Sequence, residues 1–181
     1  DYDMWLGPAP EAPFCHDRCL QQTGRNGIFH IYDYAIGFMA GWGAHPADML
    51  QWWADNAGLD EIPVKYNGYG ELGLGGLFNT LTQWDVNCTY ENGLLMRFMD
   101  NDTANKLKPH EGIFGSHGTL FVGSKGGVMV KREGWKVSDE KLYKLGKNPG
   151  PKRLEVSSEQ RENFIDSVIG RKQPVDNLHS A

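Results

Sequence analysis

The sequence predicts an α+β fold: an open, mostly antiparallel sheet with helices packed on one face. Three observations predict it. Residues 84–91 alternate apolar and polar side chains, and after Asn92-Gly93 residues 94–99 return as an antiparallel partner. Residues 118–134 read as a second hairpin around a glycine-rich turn, and two helical patterns stand apart from these hairpins, at 45–58 and 157–170. Strands that follow one another through short turns pair antiparallel, whereas parallel strands need a crossover between them. A chain of 181 residues suffices for one domain that buries about 70% of its unfolded surface. No repeat or low-complexity tract interrupts it, so residues 1–181 read as a single domain.

Residues 1–30 contain Pro8, Pro10 and Pro13, then Gly24 and Gly27. Proline forbids a helix interior, so this stretch reads as an extended arm ending in a loop, pinned by Trp5 and Leu6. The first helix comes next, in "AHPADMLQWWADNAG". Pro46 suits the first helical position, which makes His45 the N-cap, with Asp48 in the first turn near the positive end of the dipole. Met49, Leu50, Trp53 and Ala57 share a face expected to be buried, Trp52 joins the core, and Gly58 supplies the stop.

Gly68, Gly70 and Gly73 match G-x-G-x-x-G. That fingerprint needs a strand entering and a helix leaving, and here a strand-like segment comes after it, so the stretch reads as a flexible loop. In "QWDVNCTYENGLLMRFMD", Trp84, Val86, Cys88 and Tyr90 alternate with polar residues, the period of a half-buried strand. Asn92-Gly93 suits a type I′ turn, and Leu94 to Met99 returns as the partner. A second hairpin in "GTLFVGSKGGVMVKREG" turns near Lys125 to Gly127. The last helix starts in a Ser157/Gln160 capping box, carries the stripe Phe164, Ile165, Val168 and Ile169, and ends at Gly170.

Net charge is −5 and no basic run is dense enough to follow phosphates, which argues against nucleic acid and anionic membrane as partners. Apolar stretches fall far short of the ~20 residues a spanning helix needs. The chain opens at Asp1 without an initiator methionine or a signal-like segment, and so reads as a piece of a longer polypeptide. Three cysteines form no disulfide framework and suit a reducing compartment, the cytoplasm. Cys15, His16 and Cys19 lack the second close pair of a structural zinc site, so no metal is expected.

Four segments in order, "DYDMWLGPAP" (1–10), "YDYAIGFMAGWGAHPADM" (32–49), "GLFNTLTQWDV" (76–86) and "NFIDSVIGRKQPV" (163–175), resemble the C-terminal domain of the glucose-fructose oxidoreductase / inositol dehydrogenase (Gfo/Idh/MocA) family. The resemblance runs over nearly the whole chain. It implies that residues 1–181 shape a sugar or polyol pocket, and that an N-terminal Rossmann domain outside this sequence binds NAD or NADP. No cofactor is then expected on this chain alone, and oligomerisation runs through the exposed sheet face. The family reaction oxidises a secondary alcohol, a hydride leaving for the nicotinamide while a base takes the hydroxyl proton.

His45 matches the histidine of the family's Gly-Ala-His motif, which makes it the expected proton-transfer residue. An imidazole titrates near neutrality, and a helix N-terminus disfavours its charged form and keeps it an acceptor. Many members place an aspartate four residues earlier; Gly41 stands there. Asp33 or Asp48 could orient the imidazole instead, and together with Tyr34 and Arg25 they make up the expected substrate contacts. The competing reading of His45 is a helix cap hydrogen-bonded within the core. His30, His110 and His117 fall in polar loops and read as surface or supporting residues. The leading function is the substrate half of an NAD(P)-dependent oxidoreductase acting on a sugar, polyol or glycoside. Two alternatives are an NAD-recycling glycoside hydrolase or lyase of the same family, and a non-catalytic dimerisation module or pseudoenzyme.

Overall fold

The computed structural model describes residues 1–20, 26–59, 62–73, 75–107, 117–148, 150–151 and 153–176. In chain order its elements are α1 (Tyr2–Leu6), α2 (Phe38–Gly41), α3 (Ala44–Ala57), β1 (Lys65–Leu72), β2 (Leu81–Thr89), β3 (Leu95–Met99), α4 (Asn101–Leu107), β4 (Thr119–Gly123), β5 (Gly126–Lys131), β6 (Gly134–Val137), α5 (Glu140–Lys147) and α6 (Gln160–Gly170). The class is α+β and every strand pair is antiparallel, with the strands divided between two three-stranded sheets. The chain clusters into two compact units, Asp1–Ala44 with Ile62–Pro109 and His45–Glu61 with His110–Ala181. None of the described helices is long and apolar enough to cross a membrane.

In the first unit the arm is not extended from its start. Asp1 caps α1 by accepting the Met4 N–H at 3.2 Å, and a helical turn forms before Pro8 can forbid it. Leu6 is buried, and two 3-10 turns, His16–Cys19 and Ile28–His30, punctuate the rest of the arm. The sheet runs β1-β2-β3. β1 corrects the expected flexible loop: its glycines belong to a strand because neighbours need the room. A Cβ at Gly68 would strike the Asp85 carbonyl and Val86 Cα, and one at Gly70 would lie 2.7 Å from Leu81 Cδ2.

Between β2 and β3 the Tyr90 N–H donates to the Leu94 carbonyl (2.9 Å) and the Gly93 N–H to the Tyr90 carbonyl (3.0 Å). Only Gly93 takes a positive φ, 87°, while the Asn92 side chain accepts the Leu94 N–H. This is a three-residue loop with a left-handed glycine, not the expected type I′ turn. The longer loop wins because Asn92 can serve as a side-chain acceptor without entering the left-handed region.

Sheet β1–β3 hands over to α4 through Asp100. One carboxylate oxygen accepts the Asp102 and Thr103 N–H groups (2.9 and 3.0 Å), the other the Trp84 N–H (2.9 Å) and the Thr103 hydroxyl (2.7 Å). Asp100 therefore caps a helix and ties it to the central strand. Trp84, Cys88, Tyr90 and Ala104 are buried in this unit.

The second unit holds most of α3, the sheet β4-β5-β6, α5 and α6. α3 begins at Ala44, so His45 lies inside its first turn and is not the N-cap, and Asp48 falls just beyond that turn. Gly58 (φ 75°) ends the helix as expected, with the Leu59 N–H reaching the Ala54 carbonyl at 2.9 Å. The expected apolar face is less covered than its spacing implies. Ala54 is the buried residue, while Trp53 is 40% exposed and tilts against Phe121 at 5.4 Å.

The Thr119 hydroxyl donates to the Pro46 carbonyl, joining β4 to α3. β4 and β5 turn through Ser124-Lys125, slightly earlier than expected, and β6 adds a strand beyond the hairpin. Met129 of β5 is the most buried side chain here, and Trp135 stacks on Tyr143 of α5 at 5.4 Å. On α6 the cap is Glu159, not Ser157, and Arg171 supplies the left-handed residue after Gly170. Its buried residue is Ser167, and the stripe Phe164, Ile165, Val168 and Ile169 is exposed.

Candidate functional site

The Gly-Trp-Gly-Ala-His stretch is built as a helix junction. α2 ends at Gly41, and the Trp42 and Gly43 N–H groups both return to the Phe38 carbonyl at 3.0 Å. A Cβ at Gly43 would meet the Met39 carbonyl and the Phe98 ring, so no larger residue fits the corner between α2 and β3. α3 starts at the next residue. His45, its second residue, is exposed. Backbone N–H groups of a first helical turn have no intrahelical acceptor.

Asp48 lies three residues on, at a spacing that makes helix neighbours. Partial desolvation and the charge of Asp176 push its carboxyl above the ordinary range, and His45 opposes them. These two expected site residues are therefore electrostatically coupled.

Gly41 has a local physical reason. A Cβ there would sit 2.8 Å from Cδ1 and Cε1 of Phe29. An aromatic ring fills the space where the resemblance expects a carboxylate, so an acid at this position would have to displace it.

Asp33 is exposed in the turn after the second 3-10 segment. Tyr34 is part-buried against the arm: its ring meets Trp5 edge-on at 5.3 Å, and burial raises its phenol while Arg18 opposes. Arg18 donates to the Tyr2 hydroxyl at 2.8 Å and the Pro13 carbonyl at 2.6 Å, and Tyr2 stacks near Trp5 at 5.9 Å. This Tyr2–Trp5–Arg18–Tyr34 cluster fastens the arm, and sequence reasoning missed Arg18. No local pattern marks it, because its partners lie 16 residues before and after it. Asp33 and Tyr34 belong to the first unit, His45 and Asp48 to the second. Arg25 and His110 lie outside the described residues.

His30 corrects its loop reading. It is 5% exposed and edge-on to Phe38 at 4.9 Å, and its carbonyl accepts the Asn79 N–H. His117 is part-buried and lies 3.5 Å from Glu133. Cys15 and Cys19 are half-buried free thiols and Cys88 is buried in β2.

Gly68 and Gly70 lie within β1, Gly73 comes directly after it, and β2 is next. Among the described residues no helix N-terminus leaves these glycines to face a pyrophosphate, so this motif does not fit a dinucleotide. Over the same strand the first unit opens a groove of about 580 Å³ lined by Met39, Tyr66, Gly68, Gly70, Trp84 and Val86. The chain matches no family model, no curated protein and no solved structure.

Proposed function

We propose that this chain is the substrate-binding part of an NAD(P)-dependent oxidoreductase acting on a sugar, polyol or glycoside, with His45 as the proton-transfer residue. The observation that carries the reading is the ordered set of four segments resembling the Gfo/Idh/MocA C-terminal domain. Within them, the Gly-Ala-His histidine falls in the first turn of a 14-residue helix, open to solvent. An exposed imidazole is suited to accept a hydroxyl proton, and Asp48, one helical turn on, can hold the imidazolium that results. Asp33, Tyr34 and Arg25 are further proposed substrate contacts. A Rossmann domain elsewhere in the polypeptide supplies the nicotinamide, which takes the hydride. Unpaired cysteines suit a cytoplasmic setting, and the sheet face is the proposed oligomer contact.

Two experiments test this. The codons upstream of Asp1 are expected to encode a Rossmann domain; a start codon at that point would overturn the reading. In the complete protein, His45→Asn is expected to lower kcat by ~100-fold or more with little change in KM, read as nicotinamide reduction across a panel of sugars and polyols. Unchanged turnover would point to a non-catalytic binding role.

The packing of Phe29 at Gly41 favours one second reading, in which the nicotinamide is recycled and a glycoside is cleaved. A site with glycine where the resemblance expects an aspartate departs from the simple dehydrogenase pattern. Release of sugar from a glycoside without accumulating NADH distinguishes it from a dehydrogenase.

A further inference from the structure

We propose that β1 pairs edge to edge, antiparallel, with β1 of a second copy in the register centred on Gly68. This contact uses the strand's edge, not the sheet face, and does not rest on the oxidoreductase reading. β1 has β2 on one side and, among the described strands, none on the other. All its residues are exposed, including Tyr66 at 63%, Tyr69 at 53% and Leu72 at 66%, and Ile62 and Val64 before it are exposed too. A long uncovered edge is a template for another strand, and proteins that keep such edges single use prolines, bulges or inward charges. The span Lys65–Glu71 holds no proline, and its irregularity falls only at the end, between Glu71 and Leu72.

The strand is self-complementary in one register. With Gly68 opposite Gly68, Lys65 faces Glu71 of the second copy, and Glu71 faces its Lys65. Directly opposed residues share a sheet face, so both pairs can close. The same register sets Tyr66 over Gly70 of the second copy, an aromatic ring covering a strand glycine that cannot carry a side chain of its own. Centring on Asn67 puts Lys65 opposite Tyr69 and Glu71 opposite Pro63. Centring on Tyr69 puts Lys65 opposite Gly73 and Glu71 opposite Asn67. Neither joins unlike charges, and parallel in-register pairing sets Lys65 on Lys65 and Glu71 on Glu71. Charge and ring placement, two independent features, select the same alignment.

Sedimentation equilibrium of the 181-residue chain tests it. The wild-type chain is expected to dimerise, and K65E or E71K alone to raise the dissociation constant about tenfold or more, because both pairs become like-charged. The double variant K65E/E71K restores wild-type affinity. An equal mixture of the K65E and E71K chains re-forms a dimer, since each variant then meets the opposite charge at both ends; this recovery also shows that each single variant is folded. A monomer at every concentration overturns the proposal. So does a dimer indifferent to the charge reversals, which would be one formed through the sheet face, and so does a failure of the mixture to recover.

Discussion

Asp100 illustrates how much a single side chain can hold. Burial alone pushes its carboxyl up, yet the bonds from Thr103, Trp84 and Asp102 outweigh this and leave it below the ordinary range. Asp100→Ala removes a helix cap and leaves the buried Trp84 N–H unpaired, so urea denaturation should show a loss of roughly 2–4 kcal/mol. Thr103→Val removes only the hydroxyl bond and should cost less, about 1 kcal/mol. Gly41 supports a second prediction. Gly41→Asp forces the Phe29 ring aside and is expected to destabilise by about 1–3 kcal/mol, as overpacking does. Adding Phe29→Ala should recover part of that loss, and a thermal double-mutant cycle reads the coupling. His45 stands as a candidate because a resemblance marks it. The Tyr2–Arg18–Tyr34 anchor was not legible in the sequence, because its members are up to 32 positions apart and no periodicity links them.

At the scale of elements, β2 was legible because its apolar and polar residues alternate, although Asp85 on the polar side is buried as well, paired with Arg97 of β3. β1 was not. Its glycines are there to admit Asp85 and Leu81, and to a propensity argument such glycines read as a loop. Short capped helices escaped for another reason. α4 and α5 have 7 and 8 residues, too few for a helical period to stand out, although the aspartates capping them are plain in "MDND" and "SDEK". The α6 stripe forms the helix its spacing predicts and yet stays exposed, since a period reports amphipathicity and not what covers it. The turn between β2 and β3 permits a direct test. Gly93 holds a φ of 87° with open space around a would-be Cβ, so Gly93→Ala costs only backbone strain, about 1 kcal/mol. Asn92→Ala should cost about as much by orphaning the Leu94 N–H. Chemical denaturation of the two variants checks both.

At the scale of the whole molecule, the two units should answer acid differently. In the first unit the Arg97 guanidinium donates two bonds to Asp85, at 2.8 and 2.6 Å, and holds its carboxyl below the ordinary range; Asp100 is depressed by its own bonds. A carboxyl that ionises more readily folded than unfolded stabilises the fold above its unfolded value of about 3.9. That contribution shrinks as pH drops below this value and is gone once pH passes the folded value. Both groups brace the same sheet, one between β2 and β3 and the other between β2 and α4, so their losses fall on one set of strands. In the second unit the directions oppose. Asp48 is raised, so its contribution is complete at low pH and lost as pH climbs through its folded value. Glu133, fully exposed, is lowered by its backbone N–H and by Lys131 and changes the other way. Acidification from about pH 5 to about pH 3 should therefore lower amide protection, taken relative to the intrinsic exchange rate at each pH, in β1–β3 and α4 well before β4–β6. Mass spectrometry of peptides from the exchanged chain measures this, and an equal loss of protection in both sheets would show that the Asp85 and Asp100 bonds do not govern acid stability. Asp85→Asn should flatten the difference, because an amide cannot lose the charge that Arg97 holds.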